Sequence, residues 1–228
     1  MASQINHFAL ESATPGSKIS NAVLVGDSHS YPVGVELFRQ GERANNVYLI
    51  HRGVIKLTRS ESNGHEILLD LRFSGSLIAS AAVISEKPHP FAAVTVTRCS
   101  LTRWNSQQFL SLIATDSSLS ARVSVMLSDE VHDHIARISQ LACLPARQRL
   151  EQFLWQLCER LGPDQLQPEG TAKLQLPLKH YEIADLLSIT PTYLCRLLNE
   201  LEIENIITRS RGWIIVTKAS KLSHMLSL

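Results

Sequence analysis

Long hydrophobic runs are missing from this 228-residue chain. The longest, residues 77–84, is interrupted by Ser80 and falls far short of the ~18 to 20 residues that cross a bilayer. No basic start followed by an apolar block opens the chain, which argues against a secretory leader. Integral membrane and secreted proteins are therefore not expected. Cysteine is sparse: Cys99, Cys143, Cys158 and Cys195 stand apart, with no two within five positions. Zinc knuckles and iron–sulfur loops need tight pairs, so neither is expected, and a cytoplasmic chain with reduced thiols is the simplest reading. An excess of one charge is also absent. The 22 basic and 21 acidic side chains leave a net charge of +1, which excludes binding by bulk charge but not a DNA reader with one local basic surface.

Catalytic signatures are lacking as well. There is no phosphate-cradling Gly-x4-Gly-Lys, no Gly-x-Ser-x-Gly elbow and no dinucleotide glycine fingerprint. His65-Glu66 begins like a zinc-protease helix, but Leu69 occupies the place of the second histidine. A non-enzyme is expected.

What is present falls into three regions. Residues 33–104 carry short apolar alternations punctuated by glycine. Ile55 and Leu57 alternate with Lys56 and Thr58, and Val94 and Val96 with Thr95 and Thr97, which predicts strands with the aliphatic members inward. Asn63-Gly64 between two such runs is a strong hairpin signal, because both turn positions favour positive φ. Several short strands with regular turns predict a β-sandwich or roll. Residues 106–143 then run without proline or glycine at helical period. Leu127, Val131, His134, Ile138 and Leu141 follow a four-three spacing that keeps one seam on one face, which a single helix cannot bury alone. After Pro145 comes a helix over 146–161, ended by Gly162-Pro163, a polar loop and a compact helical tail. The expected division is a roll over 1–116, a dimerisation helix over 117–143 and a DNA-binding domain over 144–228.

The tail contains the most informative segment, KHYEIADLLSITPTYLCRLLNELE (179–202). A short helix over 181–187 and a tight turn at Ser188-Ile189 lead to Thr190, an N-cap hydroxyl, with Pro191 at the first helical position. The second helix buries Leu194, Leu197, Leu198 and Leu201 and turns Thr192, Tyr193, Arg196 and Asn199 outward. This is a helix-turn-helix, whose second helix fits the major groove. Arg196 can pair bidentately with guanine, while Lys179, His180, Thr190 and Pro191 approach phosphate near helix starts. Two further runs, 206–209 and 213–217, flank Ser210-Arg211-Gly212 and predict a hairpin wing bearing Arg209 and Arg211. Across 172–221, seven Lys/Arg against five Asp/Glu leave only +2, so placement matters more than total charge.

These motifs together resemble the cyclic-AMP receptor protein/fumarate-nitrate reductase regulator (Crp/Fnr) family over nearly the whole chain. The stretch ELFRQGERANNVYLIHRGVIKL (36–57) is similar to the family's roll pattern, and EIADLLSITPTYLCRLLNEL to its recognition segment. The resemblance implies an α+β chain with an N-terminal cyclic-nucleotide-binding-type roll, a dimer helix and a C-terminal winged helix-turn-helix. It implies a homodimer on palindromic double-stranded DNA, with RNA polymerase as a further partner if the regulator is an activator.

The resemblance also exposes departures. Family members that bind cyclic nucleotides use a Gly-Glu pair on the ribose and an Arg-Ser pair on the phosphate. Ala79 and Ser80 stand in place of the first pair, Pro90 and Phe91 in place of the second. A phosphate without its arginine would face an apolar wall, so cyclic AMP and GMP are not expected. The family's cysteine-bound cluster is not expected either, since the first cysteine is Cys99. No cofactor is the leading expectation. Haem is kept as an alternative, with His51, His65, His89, His132 or His134 as the available ligand type, although histidines are more often structural. A small-ligand- or haem-sensing protein whose main activity is binding in the roll is the rival reading. At the start of the recognition helix, Pro191 and Thr192 replace the family's usual arginine and glutamate, so its best-known operator is not assumed.

Overall fold

The alternating segments become two antiparallel sheets in the computed structural model, which describes residues 26–62, 64–161, 172–174, 178–210 and 213–217. The strands are β1 (Asp27–Tyr31), β2 (Glu36–Phe38), β3 (Asn46–Arg52), β4 (Ile55–Ser60), β5 (Glu66–Arg72), β6 (Leu77–Ile78), β7 (Ala92–Thr95) and β8 (Cys99–Asn105), with a short helix α1 (Ser80–Ile84) between β6 and β7. One four-stranded sheet has the order β1-β8-β3-β6 and the other β2-β7-β4-β5. Their facing side chains, including Phe38, Tyr48, Ile50, Ile55, Leu57 and Leu101, form a filled interior. The β4–β5 hairpin pairs Ser60 with Glu66, and Gly64 has φ 81 in the turn. Asn63, the other half of that signal, lies outside the described residues. At the β3–β4 corner Gly53 has φ 106, and a Cβ there would sit 2.7 Å from the Arg98 carbonyl, so only glycine fits.

Two local expectations are corrected. Thr58 is only 2% exposed, because the β4–β5 register shifts between Leu57 and Thr58 and puts consecutive residues inward. Thr95 is buried while Val94 is half-buried, the reverse of the predicted alternation. Burial of the Thr95 hydroxyl is tolerated because it is satisfied. It donates to the Pro32 carbonyl at 2.7 Å and accepts from the Val35 N–H at 2.8 Å.

The predicted helical run over 106–143 is broken once, into α2 (Ser106–Thr115) and α3 (Ser117–Cys143). Asp116 causes the break: its carboxylate accepts the N–H groups of Ser118 at 2.9 Å and Leu119 at 3.0 Å, which favours starting a new helix over continuing the old one. The first half of α3 packs on the roll through Leu119 and Val123, with Trp104 and Phe109 opposite.

The remainder is α4 (Ala146–Arg160), β9 (Ala172–Leu174), α5 (His180–Leu187), α6 (Pro191–Ile203), β10 (Ile207–Ser210) and β11 (Trp213–Val216), the three strands pairing in the order β10-β11-β9. Gly162-Pro163, expected to end α4, lie outside the described residues. One apolar core runs from this C-terminal half into the outer face of the roll. Val54, Leu68, Leu71, Phe73 and Val96 pack in the same cluster as Leu150, Leu154, Ile183, Leu186 and Leu198. The sheet containing β4, β5 and β7 is therefore covered on part of its outer face as well, through Leu68 and Leu71 of β5.

Polar contacts accompany that junction. Lys56 Nζ on β4 donates to Glu182 Oε1 on α5 at 2.6 Å, and the Leu68 N–H donates to Asp185 Oδ2 at 3.3 Å. Glu182 also accepts the Lys179 N–H through Oε2 at 2.7 Å, so one carboxylate both caps α5 and ties it to the roll. Burial by itself would lower the Lys56 ammonium. The hydrogen bond and charge of Glu182, helped by Glu66, outweigh it and raise the pKa above its ordinary value.

Candidate nucleic-acid interface

The turn between α5 and α6 is made by Ser188, which takes the left-handed conformation at φ 51. Thr190 then caps α6, its hydroxyl accepting the Tyr193 N–H at 3.2 Å, with Pro191 in the first turn as expected. Leu194, Leu197, Leu198 and Leu201 are buried, each at most 2% exposed. Removing one of these leucine side chains costs ~2–5 kcal/mol on large-to-small precedent. With that stripe fixed inward, the 3.6-residue period turns Thr192, Arg196 and Asn199 outward, all exposed, with Tyr193 half-buried beside them.

Arg196 is the most available cation of this face, its side chain 69% exposed. Its guanidinium lies over the Tyr193 ring at 4.8 Å and stands 3.5 Å from Glu200. An exposed pair of this kind is worth ~0–1 kcal/mol, so it is readily exchanged for a base edge. At the start of α5, Lys179 and His180 are exposed, Lys179 Nζ lying 5.5 Å from the Tyr181 ring. His180 Nδ1 is 3.6 Å from Cys195 Sγ on α6.

Arg209, expected as a DNA contact of the wing, is engaged within the chain. Its guanidinium holds Glu202 Oε2 at 2.6 Å and Asn199 Oδ1 at 2.5 Å, so it braces the wing against α6. The Arg209 hydrogen bonds keep the Glu202 carboxyl below its usual range. Asn199, expected on the DNA-facing side and exposed there, also accepts from Arg209 in this brace. Its signal was the Glu202–Arg209 pair across a predicted turn, which sequence reasoning passed over. Arg211 lies outside the described residues.

On α3 the expected seam is only partly as read. Val131 and Ile138 are 56% and 66% exposed, and Leu141 36%. His134 is also exposed. Leu127 is instead half-covered by the chain's own roll cluster. Ile135, 56% exposed and one residue beyond His134, joins the stripe and was missed because the spacing was counted from Leu127.

The place of the family's nucleotide site is packed. Ala79 is 8% exposed and takes φ 70, a conformation normally left to glycine, and Ser80 is 2% exposed. Pro90 is exposed, while Phe91 packs on the interior cluster 6.2 Å from the Phe38 ring. His89, at 3% exposure, stacks on Phe38 at 3.7 Å with Nδ1 unpartnered. Burial holds its imidazole below the ordinary value, Glu42 acting in the opposite sense. Cys99 packs at 1% exposure, and burial raises its thiol. His51 Nε2 is engaged by Thr102 Oγ1 at 2.6 Å, and His132 is exposed. Among the described residues no group of three His, Cys, Asp or Glu side chains could hold a metal ion.

Residues 28–116 match the cyclic nucleotide-binding domain family and residues 148–225 the Crp-like helix-turn-helix domain. The cAMP-activated global transcriptional regulator CRP of Escherichia coli O6:H1 is 25% identical over 190 residues, covering 82% of this chain and 88% of that protein. The cyclic AMP receptor protein of Thermus thermophilus is 24% identical over 196 residues, 86% of each chain. Among solved structures, FixK2 from Bradyrhizobium japonicum shares the fold with a TM-score of 0.75 at 20% identity, covering 88% of this chain and 97% of that one. Both halves are thus matched, and the chain belongs to the Crp/Fnr family of transcription regulators and is DNA-binding through its helix-turn-helix.

Proposed function

We propose that the protein works as a homodimer, two copies pairing along the exposed stripe Val131, His134, Ile135, Ile138 and Leu141 of α3. Each copy lays α6 into the major groove of a palindromic site, with half-sites about one helical turn, ~34 Å, apart. Arg196 reads a guanine, assisted by Thr192 and Tyr193, while Lys179, His180 and the Thr190–Pro191 start of α6 lie against phosphate. If the regulator activates, RNA polymerase is a further partner.

The observation that carries this reading is the division of α6 into a fully buried leucine stripe and an exposed face centred on Arg196. The effector is not a cyclic nucleotide. This is supported by Pro90 and Phe91 where an anion would need a guanidinium, and by Phe38, stacked on His89 and with Phe91 tilted against it, in the adjoining interior.

Enrichment of double-stranded DNA from a random pool at two salt concentrations tests the proposal. A palindromic sequence should emerge, cyclic AMP should leave its affinity unchanged, and Arg196→Ala should cost ~1–3 kcal/mol on that sequence while relaxing one base position. An equal loss on every sequence removes Arg196 as a base reader.

A further inference from the structure

Outside the roll interior, the described residues form a further open space. A cleft of about 180 Å³ opens where β5, α3, α4 and α5 meet. Four guanidiniums line it: Arg72 from the roll, Arg137 from α3, and Arg149 and Arg160 from α4. Two carboxylates, Asp70 and Asp133, share the lining, so the walls carry an excess of positive charge. Phe73 and Phe153 supply the apolar part.

The four arginines are not equally occupied. Arg72 pairs with Asp70 and Glu130 and is largely buried. Arg149 donates to the Leu187 carbonyl at 3.1 Å and the Leu144 carbonyl at 2.7 Å, so among the described residues no carboxylate is paired with it. Arg137 donates to the Leu186 carbonyl at 3.0 Å, with Asp70 at 3.4 Å. Arg160 is the loosest. Its side chain is 49% exposed, Asp133 stands 3.7 Å away and is itself 68% exposed, and the guanidinium lies 5.8 Å over the Phe73 ring. A half-buried surplus of planar donors beside aromatic faces suits a phosphate or carboxylate attached to an apolar body. The volume lies below the ~300–1,000 Å³ of drug-sized sites, which limits the ligand to one ring or a short chain.

We propose that this cleft binds a small organic anion, its phosphate or carboxylate held by Arg160 and its apolar part set against Phe73 and Phe153. Because the walls come from the roll, the long helix and the DNA-binding half, an occupant favours the docked arrangement of all three over any in which they separate. His134 and Leu141, which belong to the proposed pairing stripe, also line the cleft, so it opens beside the partner copy and binding is measured on the self-associating chain; its consequence for DNA affinity rests on the DNA-reading proposal.

Phenyl phosphate is the probe, titrated calorimetrically into the full chain beside inorganic phosphate and phenol. The expected result is saturable binding of one phenyl phosphate per chain, at least tenfold tighter than either fragment. Arg160→Gln should weaken it at least tenfold, and Asp133→Asn, which removes the competing carboxylate, should tighten it severalfold. Both are exposed positions, and thermal melts without probe establish that each variant is folded. No saturable binding, equal affinity for inorganic phosphate, or unchanged affinity in both variants overturns the proposal. DNA retention measured on the same samples separates the two readings: probe binding without any sequence-selective DNA binding removes the regulator mechanism and leaves the cleft site standing.

Discussion

The Lys56–Glu182 contact joins residues 126 positions apart and should be measurable as a stability term between the two halves. Lys56→Met keeps most of the aliphatic stem and removes the ammonium. Glu182, with its side chain 6% exposed, then loses the partner of Oε1 but keeps the Lys179 N–H on Oε2. Breaking a fully buried pair costs ~3–5 kcal/mol. Lys56 retains 20% exposure and the capping bond survives, so the expected loss is about 2–3 kcal/mol. Glu182→Gln neutralises the carboxylate while preserving an acceptor for the cap, and in that background Lys56→Met should cost less than about 1 kcal/mol. Urea unfolding at 25 °C, followed by tryptophan fluorescence, gives all four corners of the cycle. The pKa of Lys56 is raised in the folded state, so its stabilisation is complete below the ordinary 10.5 and is lost as pH rises through the higher folded value. Equal losses in the two backgrounds would refute a direct coupling and assign the effect of Lys56 to its packing alone.

Other outcomes follow from the exposed stripe and the buried histidine. Ile138→Glu places a carboxylate at the pairing face of α3 and should weaken self-association by at least about 2 kcal/mol, ~30-fold, in sedimentation equilibrium, with an unchanged melt of the individual chain. An unaltered dissociation constant would move the interface off this stripe. Because burial depresses His89 below its ordinary 6.5, the unfolded chain binds the extra proton first, and stability should fall as pH drops from 6.5 toward the lower folded value. His89→Leu should flatten that part of the stability–pH curve in urea titrations; an identical slope would assign the acid sensitivity to other groups.

Local signals made the helix-turn-helix legible. The Thr190 cap, Pro191 in the first turn and leucines at 3.6-residue spacing each act within one element, and the structure realises all three. The β4–β5 hairpin was legible for the same reason. Features that depend on distant parts of the chain were not. Thr95 reads as an outward residue until the Pro32 carbonyl and Val35 N–H, 63 and 60 positions earlier in the chain, come to satisfy it. Lys56 reads as a solvated residue on an alternating strand until α5 arrives beside it. Arg209 reads as a DNA ligand because wings often present cations, and only the fold shows Glu202 and Asn199 within its reach. The helical period runs on across Asp116, so periodicity alone shows one run over 106–143, although the expected dimerisation helix over 117–143 has the bounds of α3.

The shared apolar core has an implication for any attempt to take the molecule apart. A roll severed after α3 would carry Val54, Leu68, Leu71 and Phe73 as a naked greasy patch, and the detached C-terminal half would expose its complement on Ile183 and Leu186. Neither piece is a ready-made module. Transplanting this DNA reader onto another roll would demand that the recipient's outer sheet be rewritten to match, so the two halves are bound to change together.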